Sequence, residues 1–203
     1  MRKIVFVVVF LGLFACQEKA VLLPQIDKTI QADVVDHSPI YLFFKTEEKD
    51  TLVDVNRKNS ISSTNWIFNI DKRLPLRLVV PELQKLQAKK EGSSHKSAAS
   101  ENYFSYSDRI QKQLAFISFT KIKFTLGEPK FGMQIYFDKN NLVYVNKVEV
   151  KNEDLPKYLA QLPTKNPQPL AFCFDKNSSY ESFVKQLVSA KLMGLQVEHV
   201  FVY

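Results

Sequence analysis

The sequence predicts an α+β fold: two related small sheet-plus-helix units, each holding a strand–helix–strand element. Three observations lead there. Leu170–Tyr203 passes from an apolar run to a helical stripe and back to an apolar run. Ile67–Gln87 carries part of the same pattern earlier in the chain. Between them, Gly127-Glu128-Pro129 interrupts a β-rich region, as a break between units would.

In the last third, Leu170–Phe174 is apolar throughout and aromatic-rich, the signature of a strand covered on both faces. Asp175-Lys176-Asn177 is turn chemistry. Ser178 is placed to cap a helix, with Glu181 completing a capping box. Tyr180, Phe183, Val184, Leu187 and Val188 then form one apolar stripe at helical spacing. Gly194 supplies the stop, because glycine takes positive φ without steric cost. Leu195–Tyr203 returns as a strand, and a right-handed crossover leaves the two strands parallel.

Setting Asp71 on Asp175 without gaps pairs Phe68 with Phe172, Lys72 with Lys176, Val80 with Val184 and Leu83 with Leu187. That many identities over so short a stretch exceeds chance and points to two related units. The alternative is two unrelated β–α units. Pro81 would break a helix in the first copy, so its main helix is expected to start there, with Glu82, Leu83 and Leu86 following.

The run D-K-x-x-x-Y at Asp175–Tyr180, the apolar Phe183, Val184 and Leu187, then Gly194-Leu195 and Val200, resemble the C-terminal signature of the ExbD/TolR family. The resemblance covers about Phe131–Tyr203. Within it, Met133–Phe137 and Leu142–Val150 match the family's preceding strand pair, and Asn152–Leu162 its first helix. Pro75 before Leu76 in the first copy stands where the family often has Pro before Tyr. The resemblance implies the periplasmic domain of a biopolymer-transport protein driven by an inner-membrane motor, a domain that acts as a paired module. Family members carry a transmembrane helix with an aspartate needed for proton coupling. The apolar segment here, Ile4–Phe14, has no acidic residue, so motor function is not expected to carry over.

In chain order, residues 1–15 read as a signal peptide. Arg2 and Lys3 give a basic start, and Ile4–Phe14 is too short to span a bilayer, which takes about 20 residues. Leu13-Phe14-Ala15-Cys16 resembles a bacterial lipobox, making Cys16 the expected lipid attachment and 16–38 a lipidated tether. Residues 39–127 form the expected first unit. Its strands are Pro39–Phe44, Thr51–Val55 and Trp66–Ile70; residues 88–100 form a mobile loop or frayed helix end with solvated lysines. Ser107–Gln113 reads as a short helix, and Leu114–Leu126 as the run closing that unit. Residues 128–203 form the second. There, two alternating runs around Asp138-Lys139-Asn140-Asn141 make a hairpin. Asn152 caps a helix with Leu155, Tyr158, Leu159 and Leu162 on its apolar face, and Pro163–Pro169 connects onward.

The formal charge of +7 drops by the leader's two cations to about +5, a mild excess on a solvated surface. No basic motif interleaved with aromatics supports nucleic-acid binding. With Cys16 acylated, Cys173 has no disulfide partner and reads as a small buried apolar residue. His37, His95 and His199 lack metal-ligand spacing. There is no nucleophile elbow, zinc-protease helix or phosphate-binding glycine loop. Asp71 and Asp175 are repeat-equivalent loop or cap positions; acid–base work would require them to face each other. No cofactor or metal is expected. The expectation is a non-enzymatic, membrane-anchored envelope lipoprotein, a binding or scaffold module built as an intrachain pseudo-dimer. It would meet an envelope protein or cell-wall polymer, for instance through a sheet edge. Two other readings stand beside it: a carrier with a small apolar ligand behind Tyr41, Phe43, Phe68 and Phe172, and a hydrolase using Asp71 or Asp175.

Overall fold

The computed structural model describes residues 20–58, 60–130, 132–161 and 170–203. The leader, Cys16 and the connector Pro163–Pro169 lie outside the described residues. The described chain is a mixed α/β protein with two sheets and three helices.

In the first sheet, β1 (Gln25–Ile26) is followed by the hairpin of β2 (His37–Glu47) and β3 (Asp50–Asn56). Then come β4 (Asn65–Ile70), helix α1 (Leu76–Glu91), β5 (Asn102–Asp108) and β6 (Gln113–Ser118). The order is β3-β2-β4-β5, with β2, β4 and β5 parallel; β1 and β6 both pair with β5. The second sheet holds β7 (Lys123–Leu126), β8 (Met133–Phe137), β9 (Val143–Val145) and β10 (Val148–Val150). After helix α2 (Leu155–Ala160) come β11 (Leu170–Phe174), helix α3 (Tyr180–Leu192) and β12 (His199–Val202). Its order is β10-β9-β8-β11-β12-β7, and β8, β11, β12 and β7 are parallel. Ile40, Phe68 and Phe104 stand in one cross-strand row of the first sheet. Ile135, Phe172 and Val200 form a row of the second.

Several local expectations are corrected by packing. Helix α1 starts at Leu76, not Pro81. Pro81, the sixth residue of the helix, forgoes one backbone hydrogen bond, and the buried face of Leu76, Val79, Val80, Leu83 and Leu86 offsets that loss. The cap of α3 is Ser179, whose hydroxyl accepts from the Ser182 N–H at 3.2 Å; Ser178 is buried instead. The span Ser107–Gln113 is the end of β5 and a turn, because the Asp108 carboxylate takes the N–H groups of Ile110 and Gln111 and holds a loop. Leu142–Val150 is two strands, folded at Asn146-Lys147, both at positive φ.

The run Leu114–Leu126 does not close one unit. Its first half, β6, stays in the first sheet, while β7 crosses over to pair with β12 in the second. The change of sheet falls at Phe119–Ile122, before Gly127. The reason is apolar: Phe119, Ile122 and Phe124 are all buried in the core, so this connection is held inside rather than looped through solvent. Residues 22–36, expected as tether, pack on the first sheet. β1 joins β5, and Val34 covers Ile67, Tyr103 and Phe116 in a satellite cluster.

A single apolar cluster joins the two sheets. Phe104 of β5 stacks on Phe119 with ring centroids 3.7 Å apart, and meets Tyr180 and Phe183 of α3 edge-on at 5.7 and 5.8 Å. Phe183 in turn packs against Phe174 of β11 at 5.1 Å. The edge-on contacts place the positive ring edge on the negative ring face. Phe68 and Phe172 lie in this core, whereas Tyr41 and Phe43 stack on each other on the opposite face of β2. The four rings named for a ligand cavity therefore do not line one space.

Candidate functional site

Asp71 follows β4 and Asp175 follows β11, and both head the loop into a buried helix. Each carboxylate closes its own turn: Asp71 Oδ1 accepts the Arg73 N–H at 3.1 Å, and Asp175 Oδ1 the Asn177 N–H at 2.7 Å. Such Asx turns are the local chemistry that Asp supplies to a loop. The rest of their surroundings differ. Asp71 is fully buried and also takes Arg73 Nε at 2.9 Å, Arg73 Nη2 at 2.8 Å and the Leu22 N–H at 3.3 Å. Burial is the largest single influence on its carboxyl and pushes the pKa up; the Arg73 and backbone hydrogen bonds together outweigh it and hold it below the usual range.

The two loops meet, through backbone rather than carboxylates. Leu76 N–H donates to Ser178 O at 3.0 Å, and Tyr180 N–H to Leu74 O at 2.8 Å. Arg77 N–H donates to Lys176 O at 2.8 Å, and Glu181 N–H to Lys72 O at 3.1 Å. Under the alignment of Asp71 with Asp175, residues 72, 74, 76 and 77 correspond to 176, 178, 180 and 181. Each bond therefore has its mirror, and the ribbon turns about the Pro75–Ser179 bridge. Side chains alternate along it: Leu74, Leu76, Ser178 and Tyr180 are buried, while Arg73, Arg77 and Asn177 are exposed. One partner breaks the symmetry. Lys176 N–H donates to Tyr203 O at 3.0 Å, but Lys72 N–H donates to Leu22 O at 2.7 Å. Leu22 thus sits beside the first loop where Tyr203 sits beside the second.

Cys173 lies between Tyr136 and Phe201 in register, fully buried. Burial pushes its thiol up to about 12, which leaves it uncharged and a poor nucleophile at neutral pH. Above it, Tyr136, Tyr144 and Tyr203 line an open groove of about 470 Å³ with Glu128, Gln134 and Lys147. The strand alternation that put Ile135 and Phe137 in the core left Tyr136 outward, a signal that was present in the sequence. Among the described residues no group of His, Cys, Asp and Glu is arranged to hold a metal ion. No helix among them is long and apolar enough to cross a membrane.

Lys90, expected on a solvated tip, is instead 2% exposed. Its ammonium donates to Glu101 O and Asn102 Oδ1, each at 3.0 Å, and lies 5.1 Å from the Trp66 ring centre. Two hydrogen bonds and a cation–π contact tie the end of α1 to the start of β5. The stretch 88–100 is accordingly anchored at both ends, with α1 running to Glu91 and Ser100 buried. Desolvation lowers the Lys90 pKa from 10.5 to about 8. Between those values the unfolded chain holds the extra proton, so stability rises with pH by about 1.4 kcal/mol per unit. Cys173 acts in the opposite sense above pH 9, where the unfolded thiol ionises first. From pH 8 to 9 wild-type stability should therefore climb, and in Lys90→Met that climb should vanish. Denaturant titrations at the two pH values measure it; an undiminished climb in the variant would refute the assignment.

Comparison with known proteins finds no matching family model, no similar curated protein and no similar solved structure. The fold and ribbon define the class on their own terms: a two-sheet α/β protein whose halves are joined by a reciprocal loop pair.

Proposed function

We propose that this chain is a lipid-anchored, non-enzymatic envelope protein, a binding or scaffold module whose halves form an intrachain pseudo-dimer of the ExbD/TolR periplasmic kind. The observation that carries this reading is the reciprocal ribbon, in which four backbone hydrogen bonds obey the internal sequence alignment. A paired module normally needs two chains; here the second copy is supplied in tandem. The matching succession of hairpin, strand, helix and parallel strand in both sheets supports the same reading. Membrane attachment is through Cys16, and the motor function of the family is left out because Ile4–Phe14 has no aspartate.

The surface for an envelope partner is the β3 edge. β3 is seven residues long, pairs with β2 on one side, has no second strand beside it among the described residues, and carries no proline to blunt it. An extended segment can add to such an edge through main-chain hydrogen bonds. The test combines two labels in cells. Alkyne palmitate should enter the wild type and not Cys16→Ala. A photo-crosslinker at Thr51 in β3 should trap a discrete envelope component, and one at Ser94 should not. Palmitate in both proteins, or the same products from both crosslinker positions, would refute the proposal.

A further inference from the structure

We infer that the loop-ribbon end of the molecule is its membrane-facing end, and that its basic side chains rest on the anionic phospholipid headgroups of the bilayer that holds the anchor. This rests on the acylation of Cys16 proposed above. Leu22 is six residues beyond Cys16, and six residues reach about 20 Å at most. Leu22 is not free to wander: its carbonyl accepts from Lys72 at 2.7 Å and its N–H donates to Asp71 at 3.3 Å. The anchor is thereby leashed within that distance of the ribbon.

The chemistry of that end fits the surface it would meet. Arg73 and Arg77 point outward from one strand of the ribbon, and Lys176 is exposed on the other. Lys72 and Lys185 flank them and share one carboxylate, Glu181, at 3.8 and 3.3 Å. Arg73 is paired with buried Asp71. Arg77 and Lys176 have no carboxylate partner among the described residues, and Asp175 is turned into its own loop. Of these five cations Arg77 and Lys176 are left without a carboxylate among the described residues, and a leash of about 20 Å lets them come within a Debye length, about 10 Å, of the surface. The far end of α1, about 24 Å away along a 16-residue helix, carries the small polar turn around Ser94.

The test uses the full acylated protein, extracted and reconstituted in phosphatidylcholine vesicles containing about 30% phosphatidylglycerol, with a nitroxide on a fraction of the headgroups. A fluorophore is placed at Asn177→Cys on the ribbon or at Ser94→Cys on the far turn. Quenching at position 177 should exceed that at 94 by about threefold or more, and the excess should shrink in vesicles of phosphatidylcholine alone or at high salt. The pair Arg77→Glu, Lys176→Glu should also reduce it while the protein still floats with the vesicles. Its fold is expected to survive, since an acidic residue in the first turn of α1 suits the helix dipole. Protein that floats with equal quenching at the two positions overturns the inference and leaves the anchor intact. Protein that does not float at all overturns both.

Discussion

Replacing Phe104 by alanine is expected to remove about 3–5 kcal/mol of stability, and to remove it from both sheets together. Phe104 is fully buried. It lies on β5 of the first sheet, yet two of its ring neighbours, Tyr180 and Phe183, belong to the helix that serves the second. Truncation loses transfer free energy and leaves a cavity that four aromatic neighbours cannot fill by small shifts, because rings in close-packed interiors have few other rotamers. The measurement is urea unfolding of the Cys16→Ala chain followed by two probes. Trp66, the single tryptophan, reports the first sheet, and the reactivity of Cys173, then the single thiol, reports the second. One coincident transition that moves as a unit in Phe104→Ala is expected. Separate transitions, with only the tryptophan shifted, would mean two independent cores.

The second large effect is Asp71→Ala, expected to cost about 3 kcal/mol. The substitution strips a buried carboxylate from four donors and leaves the Leu22 N–H without its partner. The loss falls short of the upper range for buried pairs because Arg73 is half exposed and can return to water. At the equivalent position, Asp175→Ala should cost about 1 kcal/mol, since it breaks one turn hydrogen bond at a partly exposed site. The Asp71 contribution also has a pH signature. Its folded pKa is depressed, so its stabilisation is complete above the unfolded value near 4 and is lost as pH falls through the folded one. Wild-type protein should therefore lose stability in acid more steeply than Asp71→Ala. Equal costs for the two alanine variants at neutral pH would show that the ribbon treats the two loops alike.

That asymmetry marks where local reading stops. Asp71 and Asp175 look the same in sequence, in identity, in the lysine that follows and in the turn they make. Two things separate them: Arg73, where the second loop has Asn177, pairs with Asp71 from two residues away, and Leu22 arrives from about fifty residues away to cover the first but not the second. The same holds for Lys90. Its neighbours are lysine, glutamate, glycine and serine, a composition that signals solvent, and only Trp66 and Asn102 on separate strands make a polar pocket for its ammonium. Pro81 shows local chemistry outvoted: a helix-breaking residue is carried because the turn before it buries Leu76, Val79 and Val80.

By itself the chain determined which segments are strands or helices over most of its length. It also determined which side of α3 turns inward. These follow from periods of two and of about 3.6 residues, which are properties of neighbouring side chains. Tertiary structure alone decided that β7 joins the second sheet, that the N-terminal segment docks beside the first loop, and that the two loops clasp in a reciprocal ribbon. The physical reason is that strand partners and buried polar contacts are selected by the apolar area and hydrogen bonds that distant segments gain on meeting, and no local pattern encodes the meeting.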